Sequence, residues 1–229
     1  MTLLAHAIAA APPASISHEG LRGRRLSWSE AGDLGVWSTD WAPDIKLERP
    51  DALAHHRLVE RICAAQPCLP VRFGTAFATS DEARASLGRR AAALHAALTR
   101  VAGKSELALT LLWSKSEDFA SSPPSAPQLE GPGRKYMEAR RAEFAAREAR
   151  RTRAESLVEQ VIADLAIERQ LVWHETCTSD NVAVSLAVLV PTEQSLERKS
   201  ELVRIAGQFT DVVPVVNGPW PPYTFARIE

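Results

Sequence analysis

The chain has 229 residues, of which 45% are hydrophobic, and a formal net charge of −1. This composition supplies enough apolar surface for one large or two small domains, and the near-neutral charge gives no overall attraction to nucleic acid or anionic lipid. No apolar stretch reaches ~18 residues, and the segment 1–14 has no basic region before its apolar residues. The sequence therefore predicts a cytoplasmic protein with neither a membrane span nor a signal peptide.

Strands are predicted at the beginning of the chain. Thr2–Ala10 alternates small and larger apolar residues, and a turn around Ala31–Gly32 separates two further segments with strand character, Gly20–Glu30 and Asp33–Ser38. Two more extended segments follow later in the first half: Leu69–Phe77, with a turn at Gly74, and Lys104–Trp113, whose leucines alternate with shorter or polar residues.

Two helices are predicted between these strands. The first begins at Pro50–Asp51, because proline is tolerated and aspartate is favoured in a first turn, and it ends before Pro67. The second spans 80–102, because Thr79–Glu82 forms a capping box, apolar residues recur at helical spacing, and Gly103 suits a left-handed C-cap. The buried side of the first helix is predicted to consist of Leu53, Leu58, Val59 and Ile62.

The second half begins with a Pro/Ser-rich stretch and continues with regular elements. Residues 116–130 are too polar and proline-rich to pack, which predicts a linker or loop. Arg134–Arg169 contains no proline or glycine and predicts one long helix. The remaining predictions are a hairpin of strands Leu171–Thr178 and Val182–Val190, a helix at Thr192–Gln208, and a strand at Val212–Val216 that Pro214 restricts to an edge or a bulge.

The chain closes with an extended segment that begins at Gly218. Three prolines in Gly218–Tyr223 remove backbone donors, so this run cannot form a helix and can barely form a strand. Its rings, Trp220, Tyr223 and Phe225, carry large apolar areas that gain free energy when they leave water. A segment of this kind is expected to dock on another surface, either within the chain or on a partner.

The predicted order of elements favours an α+β fold with two domains. Strands and helices alternate without a run of parallel βα repeats, and the C-terminal half resembles a ferredoxin-like sandwich that lacks or borrows its first strand. We expect an N-terminal α+β domain at 1–115, the linker at 116–130, a ferredoxin-like domain at 131–217, and an extended tail at 218–229.

Four short segments, in this order along the chain, resemble the gas vesicle GvpL/GvpF family. Leu69–Phe77 is similar to the family's central "lPvRFGtvF" segment, and Gly103–Glu106 is similar to its "GK.E" entry to a strand. The stretch 131–137 follows as a looser match, and Gly218–Phe225 resembles the family's C-terminal signature. The chain is thus identified as a member of this family from motifs that span nearly its whole length.

The resemblance implies a function in gas vesicle formation and two α+β domains. It indicates a non-enzymatic accessory protein of the cytoplasm and the gas vesicle, which binds the hydrophobic shell protein as a chaperone-like assembly or nucleation factor or remains as a minor vesicle component. The shell protein is the expected partner, with other gas vesicle accessory proteins as further candidates. No cofactor, nucleic acid or membrane is expected to bind.

No residue pattern points to catalysis or to a metal. Three cysteines without a CxxC pair predict buried free thiols rather than a disulfide or zinc site. His55 and His56 diverge by ~100° on a helix and show no HExxH spacing, which predicts surface histidines. In a strand, His174 and Cys177 would point to opposite faces, and nucleophile motifs are lacking.

Six residues are the candidate partner-binding surface or interdomain clasp. An arginine and an aromatic ring at the end of an extended segment form a recognition surface in one interpretation, and Phe73 belongs to the core in the other. The C-terminal rings bind a partner in one interpretation and fold back on the chain in the other, which the short rigid proline segment favours. The six are Arg72, Phe73, Gly74, Trp220, Tyr223 and Phe225.

Two other classes of function remain open. Eight basic and three acidic side chains give Arg134–Arg153 a net charge of +5, which suits a nucleic-acid binder, although Glu143 and Arg147 at i,i+4 favour a solvated helix face. A small-ligand module or enzyme on ferredoxin-like domains is the other alternative. That alternative requires a pocket with convergent polar groups. His or Cys residues with perturbed pKa values around Arg72 would favour it.

Overall fold

The computed structural model describes residues 2–10, 16–42, 46–114 and 132–227. Strands and helices alternate along this part of the chain, and the predicted α+β class is confirmed. The strands are β1 (Thr2–Ala9), β2 (Leu26–Ala31), β3 (Leu34–Trp41), β4 (Cys68–Pro70), β5 (Ala76–Phe77), β6 (Lys104–Trp113), β7 (Val172–Ser179), β8 (Val182–Pro191) and β9 (Val212–Trp220). The helices are α1 (Arg49–Ala65), α2 (Ser80–Arg89), α3 (Ala91–Val101), α4 (Pro132–Asp164) and α5 (Ser195–Ala206).

The chain divides into two compact units, of which the first comprises 1–106, 189–193 and 219–229. Its sheet has the strand order β2-β3-β1-β4, with β5 also paired to β1, and all of these pairings are antiparallel. Strand β1 lies inside this sheet, and its residues are buried on both faces, the small alanines on one and larger residues on the other. The core beside it contains residues from β1, β3, α1 and β4, among them Ala7, Trp37, Ile62 and Cys68.

The second unit comprises 107–188 and 194–218. Its sheet has the order β7-β8-β6-β9, and β7 and β8 form the predicted antiparallel hairpin. From β6 onward the elements follow the order β-α-β-β-α-β, so β6 supplies the first strand that the sequence left unassigned in this half. The ferredoxin-like assignment stays a prediction. The core of this unit is aliphatic, with Leu109, Leu157, Val161, Leu186 and Leu202 buried.

The helix predicted at 80–102 is wrong as one element, because the structure divides it at Arg90. The backbone of Arg90 leaves the helical region, with φ −118° and ψ 14°, and its N–H bonds to Leu87 and Gly88 in a tighter turn. Gly88 weakens the helix just before this point, since glycine loses more backbone entropy than other residues. The helical spacing continues across the break, and Leu87, Leu94 and Leu98 are all buried.

The ends of α4 and β9 also differ from prediction. Helix α4 ends at Asp164 rather than Arg169, because Ala166 adopts a left-handed φ of 48° that glycine usually occupies. Strand β9 continues through Gly218 to Trp220, so the expectation that this run can barely form a strand is wrong for its first part. The proline at 214 lies in β9, which is the end strand of its sheet, and prolines fit such positions because they lack an N–H.

The prediction of buried free thiols is also wrong. Cys63 and Cys68 form a disulfide, and their Cα atoms lie 5.4 Å apart. The cause is the short connection between the end of α1 and the start of β4, which a spacing of five residues does not reveal by itself. Cys177 is free but exposed, in a part of β7 where the pairing with β8 is irregular.

Two further predictions concern the domains and the membrane. The predicted linker at 116–130 lies outside the described residues. The predicted domains at 1–115, 131–217 and 218–229 remain a prediction. Among the described helices, none is long and apolar enough to cross a membrane.

Two glycine substitutions test the packing of the first unit. A Cβ atom on Gly35 would lie 2.2 Å from Cζ2 of Trp28, whereas a Cβ on Gly88 would meet nothing within 4 Å. We expect Gly35→Ala to lower the free energy of unfolding by about 1–3 kcal/mol through overpacking. Gly88→Ala is the matched control and should leave stability unchanged or raise it by up to about 1 kcal/mol, since alanine favours helix. Urea unfolding measures both, and equal stability of the two variants would contradict the packing of Trp28 over Gly35.

Candidate functional site

A cleft of about 840 Å³ lies in the first unit, where β4 and its following segment face α3 and the C-terminal segment. Its apolar lining includes Ile8, Leu69 and Leu94, which are all buried. Three arginines also line it: Arg72, Arg90 and Arg227. The C-terminal segment forms one wall, so the position of that segment decides the shape of the cleft.

A buried carboxylate holds the C-terminal segment in place. Glu106 of β6 is 5% exposed, and its two oxygens accept hydrogen bonds from the backbone N–H and the hydroxyl of Thr224, each at 2.8 Å. Burial raises the pKa of Glu106, while the two hydrogen bonds and the nearby Arg227 partly oppose this rise. Removal of the carboxylate would leave the N–H of Thr224 without its acceptor.

A second anchor lies at the end of α3. The Arg100 guanidinium donates a hydrogen bond of 2.6 Å to the carbonyl oxygen of Phe225, whose ring is buried. Pro221 and Pro222 are buried as well, and a bond from the N–H of Ala226 to the Pro222 carbonyl closes a turn. The segment after β9 is therefore held by backbone contacts, a buried ring and two buried prolines.

The other two rings of the segment lie against α1. Tyr223 stacks on His56 with ring centroids 6.0 Å apart, and Trp220 meets the same imidazole edge-on at 6.4 Å. Tyr223 is half-buried, and this burial, followed by the charge of Glu60, raises the pKa of its hydroxyl. Trp220 is 38% exposed, so much of its indole remains open to solvent.

A buried histidine pair fixes the segment that follows β4. His55 Nε2 lies 3.0 Å from the carbonyl oxygen of Val71 and must donate to it, so Nδ1 of neutral His55 accepts from Nδ1 of His6 at 3.0 Å. Nε2 of His6 then accepts from the Thr39 hydroxyl at 2.8 Å. The hydroxyl oxygen of Thr39 in turn accepts the N–H of Leu21 at 3.3 Å.

Both histidines are neutral in this arrangement. Burial, and then the neighbouring His55, lowers the pKa of His6 to about 3. Burial also lowers the pKa of His55, against the opposing effect of its hydrogen bond to Val71.

The buried face of α1 differs from the predicted one. The prediction of a surface position is wrong for His55, which is 2% exposed, and Leu53, predicted to be buried, is 54% exposed. The buried face of α1 is thus rotated from the predicted one, and it includes Asp51, His55, Leu58, Val59 and Ile62.

The turn after β4 places the next three residues in different surroundings. Gly74 has φ 88°, and the N–H of Thr75 bonds to the Arg72 carbonyl across the turn. Phe73 packs against a buried cluster of Leu4, Leu21 and Trp41, whereas the Arg72 side chain is exposed. The Arg72 guanidinium makes no hydrogen bond or ion pair with any described residue. The turn therefore directs the phenylalanine inward and leaves the arginine at the cleft.

Comparison with known proteins defines the family. The family described as gas vesicle synthesis protein GvpL/GvpF matches residues 3–227. The chain belongs to this family. No curated protein matches it significantly. It is similar in fold to two crystal structures, each with a TM-score of 0.78 at 18% identity: gas vesicle protein GvpF from Anabaena sp. PCC7120, with 100% of this chain and 97% of the other covered, and GvpF from Microcystis aeruginosa, with 99% of each covered.

Three of the four segments that resembled the GvpL/GvpF family meet in the first unit. Residues 69–72 and 75 line the same cleft as residues 223, 224, 226 and 227, and Glu106 bonds to Thr224. The fourth segment, 131–137, begins outside the described residues. Arg72 and Tyr223 line the cleft, Phe73 and Phe225 pack inward, Gly74 forms the turn and Trp220 lies on His56. Their assignment to partner binding or to an interdomain clasp stays a prediction.

Several important residues of this region were not singled out from the sequence. Glu106 ends one of the matching segments, and a carboxylate beside the alternating leucines of the strand was the available signal. Arg100 and His6 gave no comparable signal, because their partners lie far away along the chain. Arg90 was not singled out either. The described residues contain no group of three or more His, Cys, Asp or Glu side chains that could hold a metal ion.

The first test in this region concerns the carboxylate at position 106. We expect Glu106→Ala to lower the free energy of unfolding by about 2 kcal/mol and to speed hydrogen exchange at the Thr224 amide, because that N–H loses its acceptor. Glu106→Gln is the matched control: its oxygen still accepts the N–H and its amide can donate to the Thr224 hydroxyl. Its stability should stay within about 1 kcal/mol of the parent. Unchanged Thr224 exchange in the alanine variant would contradict the anchor.

The second test concerns the pH dependence of stability. The pKa of His6 is lower in the folded chain than in the unfolded chain. Its contribution to stability is therefore fully present above the unfolded pKa near 6.5 and is lost as pH falls toward 3. For His6 alone the loss between pH 7 and pH 5 should be about 2 kcal/mol. Glu106 has the opposite effect, because a raised pKa makes its contribution to stability larger as pH falls. The pH dependence of the parent must therefore be compared with that of a His6 variant.

The variants for this comparison are His6→Gln and His18→Gln. His6→Gln should weaken the pH dependence of urea unfolding between pH 7 and pH 5. His18 is exposed and makes a matched control. Its replacement should leave the pH dependence of urea unfolding unchanged. Equal pH dependence in the parent and in His6→Gln would contradict a neutral buried pair.

Proposed function

We propose that this chain is a non-enzymatic accessory protein of gas vesicle formation that binds the hydrophobic shell protein before or during assembly. Family membership supports a role in gas vesicle synthesis. A shell subunit exposes strand edges and apolar faces before it is incorporated, and such surfaces aggregate. A chaperone-like or nucleation factor, or a minor vesicle component, limits that hazard by covering them. The site of action is the cytoplasm and the gas vesicle, with no nucleic acid or membrane as partner.

The observation that carries this proposal is the exposed edge formed by β9. This strand ends the order β7-β8-β6-β9, and among the described strands none pairs with its outer side. Val213 is 51% and Val215 is 40% exposed, so apolar side chains accompany the open main chain. Such an edge accepts an added strand through main-chain hydrogen bonds and apolar contacts. Pro214 removes one backbone donor, so the pairing is short and depends on the two valines.

The opposite edge of the same sheet is less suited to this purpose. Strand β7 has an irregular pairing between Thr176 and Ser179, and Cys177 has a left-handed φ of 51°. His174 and Glu175 are exposed there. Irregular pairing and polar or charged side chains are features that protect a sheet edge against added strands. We therefore assign shell-protein binding to β9.

The C-terminal segment has a structural role in this proposal. The buried Phe225, the two buried prolines and the Glu106 bonds support a clasp that maintains the chain's own fold. The exposed part of Trp220 leaves room for a partner contact, but the anchoring contacts are internal. The candidate residues of this segment, Trp220, Tyr223 and Phe225, are accordingly proposed to stabilise the protein first.

The test is co-purification of untagged shell protein with this chain after co-expression. We expect Val213→Lys combined with Val215→Lys to reduce the recovered shell protein by at least about tenfold, because two apolar contacts are lost and charges line the edge. Leu196→Lys is the matched control, since Leu196 is 71% exposed but lies on α5. All these side chains are exposed, so melting temperatures should remain close to the parent.

The outcomes separate the function from the surface. If shell protein does not co-purify with the parent chain and deletion leaves vesicle yield unchanged, the proposed function is wrong. If the parent binds and both lysine variants bind equally well, the function stands and the assignment to β9 is wrong.

A further inference from the structure

The cleft of the first unit has properties that neither the core nor the shell-binding edge explains. Arg72, Arg90 and Arg227 line it, and among its described lining residues none is acidic. Arg72 has no partner among the described residues, and Arg90 bonds only through one nitrogen, at 3.2 Å from the neutral hydroxyl of Ser86. A guanidinium fork matches carboxylates in a bidentate manner and gains most where it is not already paired.

The size and lining of the cleft limit the class of ligand. A volume of about 840 Å³ is far larger than an inorganic anion needs, and it falls in the range of binding clefts for larger ligands. Buried Ile8, Leu69 and Leu94 supply apolar surface beside the arginines. The ligand that fits both features carries a negative charge next to an apolar group.

The walls favour a polypeptide over a compact molecule. One wall contains residues 69–72 and 75, and the other contains residues 223, 224, 226 and 227. Each wall is formed by neighbouring residues of one chain segment, so two chain segments border the space. An extended peptide presents alternate side chains to two sides and can place a carboxylate at one position and an apolar group at the next.

We infer that this cleft binds an extended acidic peptide segment of a partner protein, in which carboxylate side chains alternate with apolar ones. Arg72 and Arg90 bind the carboxylates, and the apolar lining contacts the remaining side chains. This site lies in the first unit, whereas the exposed valines belong to the second, and the inference does not depend on shell-protein binding. The cleft also has the convergent polar groups that the small-ligand alternative requires. His6 and His55, whose pKa values are lowered, hydrogen-bond to each other in the core and do not line the cleft.

The experiment measures fluorescence anisotropy of a labelled octapeptide of alternating leucine and glutamate with the full chain. A second peptide with glutamine in place of glutamate tests the charge. We expect the acidic peptide to bind at least about tenfold more tightly than the glutamine peptide, and to lose affinity as salt is raised from 50 to about 500 mM. Equal affinity of the two peptides, or no binding of either, would overturn the inference.

Two arginine variants locate the binding. Arg72→Gln should weaken binding of the acidic peptide by about tenfold or more, and its melting temperature should match the parent because the side chain is exposed. Arg57→Gln is the matched control, because Arg57 is exposed on α1 in the same unit but does not line the cleft. Equal weakening by both variants would mean a general effect of charge and would refute the site.

Two further measurements decide the source of the negative charge and the independence of the two surfaces. Inorganic phosphate and acetate should displace the peptide only at concentrations that screen all charges. If phosphate binds as tightly as the peptide and with the same dependence on Arg72, the ligand is a small anion and the peptide assignment is wrong. The Val213→Lys, Val215→Lys variant should retain full peptide affinity, and its loss would contradict a separate site.

Discussion

The placement of the C-terminal segment in the first unit depends on the contact between Glu106 and Thr224. A carboxylate that is nearly excluded from water is costly unless donors meet it, and both of its oxygens are met here by one residue 118 positions further along the chain. Arg100 and Glu106 lie three residues to either side of Gly103, whose φ of 69° allows the turn from α3 into β6. A single helix-turn-strand connection thus supplies both polar anchors of the C-terminal segment, and one wall of the cleft exists because that connection is made.

The cleft residues that follow β4 depend in a similar way on the histidine pair His6 and His55. The N–H of Val71 bonds to the carbonyl oxygen of His6, and its carbonyl accepts from the side chain of His55. Val71 is thereby fixed from both sides, which leaves Gly74 to close the turn and Arg72 to face outward. Protonation of the pair would remove an acceptor and place charge in the core. The position of an exposed arginine therefore depends on two neutral side chains that never touch the cleft.

The sequence was informative where a local pattern and the tertiary structure agree. Strand β1 and hairpin β7-β8 follow from alternation, and helix α1 follows from its Pro50–Asp51 start and from Pro67 after its end. The apolar spacing of 80–102 was correct even though the helix breaks at Arg90, because the break preserves that spacing. The failures have distant or unpatterned causes. His55 was placed at the surface because its partners, His6 and Val71, come from other elements, and Ala166 ends α4 in a conformation for which glycine is the usual signal. The Cys63–Cys68 bond depends on the geometry of a turn rather than on spacing. In the site, the motifs marked the correct segments, but the anchoring role of Glu106 required the position of Thr224.

The two proposed surfaces differ in the physical basis of their selectivity. Main-chain pairing along β9 accepts many sequences, because every residue except proline offers the same donor and acceptor. Guanidinium groups that face an apolar cleft discriminate strongly, because only a carboxylate or a similar anion satisfies them. The two proposed properties are complementary, because one surface tolerates many apolar sequences and the other selects for charge. Because the valines and Arg72 are all exposed, either surface can be altered without a cavity or an unpaired buried group, and loss of function at one of them would not originate from loss of the fold.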